Sequence, residues 1–204
     1  LRSLVGSEMC IRDRSLATFF VLPAVIALLG SYMICREEQE DTLKSLRLVP
    51  VDEAKLTVVK MIVAMVFSIL IYLLLFVITF AVEAIMHFGT LSIQTVWGFL
   101  FTYFVNGIGV FLAISPIVAL VARIKKGYWL ALVFTEIYSF AGLFASMSET
   151  LKTVYPITAV FQLSGYYETT IGNKAASLVI LIVCMVLAVL ILNGLSRKNK
   201  KSIY

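Results

Sequence analysis

The sequence predicts an all-α fold, a polytopic transmembrane helical bundle, and three observations lead there. Apolar residues make up 61% of the 204 positions and mean hydropathy is +0.99, well above the roughly half apolar content of a soluble domain. Those residues fall into five runs, each close to the about 20 residues that a membrane-spanning helix needs. Lys and Arg gather in short clusters between the runs, where basic residues set topology. The formal charge of +5 is therefore no nucleic-acid signal. Cys10, Cys35 and Cys184 show no CxxC or Cys/His spacing and His87 stands alone, so no disulfide framework, metal site or cofactor is implied.

Residues 1–14 stand apart from the rest. Leu4 to Asp13, LVGSEMCIRD, back-translates as CTC GTG GGC TCG GAG ATG TGT ATA AGA GAC, which resembles a transposase adaptor used in preparing DNA sequencing libraries. The segment is read as non-native and excluded from the fold. That leaves one transmembrane domain, 15–204, with spans at about 15–35, 56–82, 96–122, 128–147 and 175–195 by the length an apolar helix needs.

The first span, Ser15 to Cys35, contains Pro23 and Gly30, both expected kink points that a bundle tolerates. Leu56 to Val82 is the second. The third, Val96 to Ala122, is about 40 Å of ideal helix at 1.5 Å per residue. It exceeds the hydrocarbon layer, so tilt or a break near Gly107, Gly109 or Pro116 is expected. Asn106, Gly107 and Gly109 permit close helix approach, and packing is favoured over a substrate contact. Tyr128 to Met147 is the fourth span and Ala175 to Leu195 the fifth. Between them, Ser148 to Lys174 carries Tyr155, Pro156, Phe161, Tyr166 and Tyr167. Interfacial anchoring is the default for such aromatics, with a short re-entrant or amphipathic hairpin that contacts a lipid-bound or peptide substrate as the alternative.

Orientation follows from Lys and Arg. The loop 36–55 and the residues up to Lys60, the loop 123–127 and the tail from Arg197 are rich in them, whereas Ala84 to Thr95 has none. The basic set is accordingly expected in the cytoplasm, the first retained span runs inward, and a further helix before Ser15 would give a native six.

No GxxxxGK[ST], HExxH or GxSxG occurs, so ATP hydrolysis and the common hydrolytic chemistries have no motif here. Glu37-Glu38 suggests the EExxxR of intramembrane proteases, but Thr42 stands where the Arg would be. Glu83 falls at the outer end of the second span. Glu136 lies eight residues into the fourth, where a carboxylate must face the bundle interior or water. It is a candidate for either a translocation path or a structural role.

The long polar island, Arg36 to Lys60, reads as a short helix with Glu37, Glu38, Glu40 and Asp41 crowded at its start, complementing the helix dipole. Leu43 and Leu46 share one side, Lys44 and Arg47 another. Pro50 stops it, and Asp52 caps the helix that enters the next span. A docking element fits this pattern better than a solvated linker.

At these residues the chain resembles the permease subunits of the ABC-2 type, especially the small six-span permeases of bacitracin and lantibiotic export or immunity systems. Glu40-Asp41-Thr42-Leu43-Lys44, Leu46, Pro50-Val51 and Lys55 stand where those proteins carry their cytoplasmic coupling motif, with Asp41 replacing the usual Gly. The resemblance implies a homo- or heterodimer with a second permease in a bacterial plasma membrane, and two copies of a separate ABC ATPase. It implies that Glu40, Thr42, Leu43, Lys44, Leu46 and Arg47 contact that ATPase, that no nucleic acid is bound, and that the cargo is a peptide antibiotic or another amphipathic compound. The alternative is a non-transporting assembly or sensor subunit that recruits a cytoplasmic partner; an adjacent ATPase gene would favour transport. Resequencing the locus is expected to reveal a different genomic frame upstream of Ser15. An uninterrupted genomic frame encoding LVGSEMCIRDR would refute the adaptor reading.

Overall fold

The computed structural model describes residues 17–39, 53–86, 93–124, 127–165 and 170–201. A π-helical turn, Ala17–Val21, leads into α1 (Leu22–Gln39); α2 is Glu53–Met86, α3 Ile93–Ile124, α4 Trp129–Ala145, α5 Glu149–Val154, α6 Pro156–Leu163 and α7 Ile171–Lys201. Among the described residues there is no strand. Four helical stretches are long and apolar enough to cross a membrane: Thr18–Arg36, Leu56–Val82, Val96–Ala122 and Ile171–Gly194. The fourth expected span is a shorter apolar helix, α4, of 17 residues. At about 1.5 Å per residue it is roughly 25 Å long, a little less than the ~30 Å hydrocarbon layer.

The core is centred on α3, which packs against α1, α2, α4, α6 and α7. Val110, Ile114, Val118, Ala119 and Val121 are completely buried along it. Without a hydrophobic force between helices in lipid, close van der Waals contact must hold such a bundle, and small residues make that contact possible. A Cβ at Gly107 would sit 3.0 Å from the Ile69 backbone, and the Ser68 hydroxyl donates to the Gly107 carbonyl across the same seam at 2.6 Å. A Cβ at Gly109 would lie 2.7 Å from Val160 of α6. The packing role expected for Gly107 and Gly109 is what they have. Gly30 is likewise a packing position inside an uninterrupted α1, with Val118 and Ala64 as neighbours of its would-be Cβ, rather than the kink expected of it.

Each described proline removes one backbone donor, and in each case a hydroxyl supplies the bond. Pro116 lies inside α3, where its missing N–H would have gone to Leu112; the Ser115 hydroxyl donates to the Leu112 carbonyl at 2.8 Å. Pro156 opens α6 and cannot reach Lys152, whose carbonyl accepts from the Thr158 hydroxyl at 2.8 Å. Pro23 follows the π turn. In the i to i+5 register of that turn its absent N–H would have met the Thr18 carbonyl, and the fully buried Tyr72 hydroxyl donates there at 3.3 Å. Hydroxyls commonly compensate prolines in this way within membrane helices.

The segment Ser148 to Lys174 departs most from the default expectation. Its α5–α6 hairpin is packed into the bundle, and Ile157 through Gln162 are all buried. Val160 contacts Gly109, the middle residue of the span Val96–Ala122, so α6 reaches mid-span depth. Phe161 stacks on Phe19 with centroids 5.2 Å apart, and the Tyr155 hydroxyl donates to the Tyr138 carbonyl at 2.6 Å. These two aromatics are interior contacts and not interfacial anchors; Tyr166 and Tyr167 lie outside the described residues. The buried Gln162 joins the layers, accepting from Ser177 of α7 at 2.8 Å and donating to Thr153 of α5 at 3.3 Å.

A second correction concerns the start of the island. Glu37 and Glu38 belong to the last turn of α1, which continues to Gln39, instead of opening a separate helix.

These contacts set two measurable costs. Ser115→Ala should cost about 1–3 kcal/mol by stranding the Leu112 carbonyl, and the cost should vanish in a Pro116→Ala background where a backbone N–H returns. Denaturation in detergent measures both, and an equal cost in the two backgrounds would refute the compensation. Gly109→Ala should cost about 1–3 kcal/mol by overpacking against Val160, whereas Gly98→Ala, with no atom within 4 Å, should cost nothing by the same assay.

Candidate functional site

Helix α4 has two unlike faces. Ala131, Thr135, Ser139, Gly142 and Ala145 are buried; their spacing of three and four residues places them in one stripe. Helix α1 is the main neighbour of α4. Near the far end of the stripe, a Cβ at Gly142 would meet Ile157, Phe19 and Tyr155, all at 3.1–3.2 Å. The small residues let α4 approach its neighbours closely. The Thr135 and Ser139 hydroxyls have no hydrogen-bond partner among the described residues.

The other face points away from the bundle and is lined by large side chains. Trp129, Leu132, Val133, Ile137, Phe140 and Phe144 are exposed, and the rings of Phe140 and Phe144 meet edge to face at 5.3 Å. Glu136 lies on this side, half-buried. It is seven residues after Trp129 and four before Phe140, spacings that stack the three along one stripe of a helix. No hydrogen bond or ion pair joins Glu136 to another described residue. It sits roughly 10 Å along the axis from one end of α4 and 13 Å from the other.

The remaining charges of the described spans are peripheral. Arg36 closes the first, Lys60 is in the second turn of the next, and Lys174 is in the first turn of the last. Long basic side chains near span ends reach the headgroup level. The exposed middles of α2 and α7, around Leu70, Leu74, Val77, Val183 and Leu187, carry no Asp, Glu, Lys or Arg. Glu136 is thus the only such residue among the described span interiors.

The other named positions fall elsewhere. Glu40, Thr42, Leu43, Lys44, Leu46 and Arg47 lie outside the described residues, as do Cys10, His87, Pro50 and Asp52. Glu83 is in the last turn of α2, one residue past the span end. Cys35 and Cys184 are buried and form no disulfide with each other. The aromatic stripe flanking Glu136 was not singled out from sequence, although a signal existed: the small residues at 131, 135, 139, 142 and 145 define the packed face by their period and so fix the opposite one.

No curated protein and no solved structure matches the chain. The family model described as ABC-2 family transporter protein matches residues 7–142, more than half of the chain. Helices apolar enough to cross a membrane and a family of membrane transport components together make this an integral membrane protein. The chain belongs to the ABC-2 family of transporter proteins.

Proposed function

We propose that this chain is the membrane-spanning permease subunit of an ABC exporter, moving a peptide antibiotic or another amphipathic compound with energy from a separate ATPase. The observation that carries the reading is the family match over residues 7–142. Members of that family generally work with an ABC ATPase, and this sequence contains no phosphate-cradling GxxxxGK[ST]. In this reading energy enters from a separate ATPase, and the polar island between the first two retained spans is the segment suited to receive it.

In this reading Glu40, Thr42, Leu43, Lys44, Leu46 and Arg47 form the coupling surface. Two ATPase copies serve a pair of permeases, and the basic loops and tail face the cytoplasm of a bacterial cell. Closure of the ATPases pushes on the island and shifts the paired bundles as rigid bodies. The packed α5–α6 hairpin supports such a motion, because Gln162 ties it to α7 and Tyr155 ties it to α4. An amphipathic cargo suits a face that carries a carboxylate among aromatic and aliphatic side chains.

Affinity purification of the complete gene product from its native membrane in mild detergent should recover an ATPase with a Walker A motif. Leu43→Asp should reduce that recovery about 30-fold or more, since it places an unpaired carboxylate in an apolar contact. Absence of an ATPase from the wild-type preparation, with no effect of Leu43→Asp on the complexes recovered, would count decisively against the coupling model.

A further inference from the structure

We propose that the outward face of α4 around Glu136 binds the positively charged head of an amphipathic molecule, which makes cationic amphiphiles the substrate class of the exporter. Calling that ligand a substrate rests on the transport reading above; the site itself stands on the geometry of α4.

The first argument is electrostatic. A carboxylate in the middle of an apolar helix packed into a membrane bundle is costly unless something neutralises or solvates it. The bundle does not: Glu136 has no ion pair or hydrogen bond to another described residue, and the basic residues of the described spans lie near their ends. Among the described residues nothing compensates it, and Leu132, Val133, Ile137 and Phe140 leave the face beside it exposed.

The second argument identifies the sign and shape of the occupant. Trp129 and Phe140 share the stripe of Glu136, and Phe144 continues it. Aromatic faces attract cations through their quadrupole, most strongly where water is scarce. Carboxylate and rings therefore favour the same charge, while the surrounding Leu, Val and Ile side chains suit an apolar tail.

A second copy of this chain is the competing occupant. An isologous contact between two such faces presents the same patch from both sides, bringing Glu136 toward its own counterpart. Two carboxylates in one apolar site repel each other, so self-pairing does not supply the missing positive charge. Charge complementarity thus favours the cationic ligand.

The test uses the full chain alone in phosphatidylcholine nanodiscs, with two diazirine-bearing dodecyl probes of identical tail. One has a trimethylammonium head and the other a sulfonate head. After photolysis, adducts on residues 129–145 are quantified by mass spectrometry, with the exposed uncharged face of α2 at Leu70, Leu74 and Val77 as internal reference. Relative to that reference, the cationic probe should label α4 roughly tenfold more than the anionic one, the scale of a partly desolvated cation–π contact beside an opposite charge. Glu136→Gln should bring the ratio to that of α2, and Glu136→Asp should retain most of it. If Glu136→Gln fails to fold, competition on the wild type replaces it: excess dodecyltrimethylammonium should abolish the preference, and excess dodecyl sulfonate should not. An unchanged ratio in Glu136→Gln, or an equal preference on α2, overturns the proposal. Near-complete disulfide capture of Ile137→Cys by a second copy, with α4 protected from both probes, also overturns it by assigning the face to self-association. No ATPase is present in this assay, so its outcome is independent of whether the coupling model survives its own test.

Discussion

Inside hydrocarbon a backbone group that loses its helical partner cannot turn to water, and this constraint organises much of what the bundle does. Helices satisfy it everywhere except at proline. The three described prolines sit at three different kinds of place: after a π turn, in mid-helix, and at the apex of a buried hairpin. In all three a hydroxyl from Tyr72, Ser115 or Thr158 donates to the stranded carbonyl. Only Ser115 and Thr158 do so locally. Tyr72 reaches from α2 to the turn before α1, so that repair also binds two helices together.

The same constraint explains how a segment as polar as the α5–α6 hairpin can be buried. Its polar groups are spent on one another: Thr158 on the α5 carbonyls, Gln162 between Thr153 and Ser177, Tyr155 on the Tyr138 carbonyl. Buried polar networks are tolerable when their members are satisfied. The hairpin then needs space, and Gly109 and Gly142 provide it by presenting no side chain where Val160 and Ile157 arrive.

How much of this was legible in the sequence depended on whether the signal was local. The long apolar runs at about 56–82 and 96–122 were readable as helices, and they lie within Glu53–Met86 and Ile93–Ile124, because an uninterrupted apolar run of that length, bounded by polar positions, matches the thickness of a bilayer. The packed hairpin was not legible from local pattern, because the hydrogen bonds that join Gln162 to Thr153 and Ser177 exist only once those residues are brought close. Glu37 and Glu38 misled for a related reason. Their charge suits a helix start, but the helix built on the preceding apolar run continues through them to Gln39, and helix propagation outweighs a dipole contribution of some tenths of a kcal/mol. The rotation of α4 was recoverable in principle from its small-residue period, yet Glu136 drew attention to one residue rather than to the face.

That rotation is what gives Glu136 its meaning, and it is fixed from several directions. The small stripe of α4 is buried in the bundle, Gly142 receives Phe19, Ile157 and Tyr155, and the Tyr155 hydroxyl grips the carbonyl of Tyr138, two residues beyond the acid. Turning α4 far enough to bury Glu136 would carry Phe140 or Ile137 into a seam now occupied by Thr135, Ser139 and Gly142. Phe or Ile in place of such small residues would force the helices apart, and overpacking of that size costs more than the bundle's close contacts tolerate. The carboxylate is therefore held outward by the bulk of its neighbours and not by a bond to any described residue. A position maintained in that way, on a helix slightly too short for the bilayer, leaves the acid available to whatever occupies the face beside it.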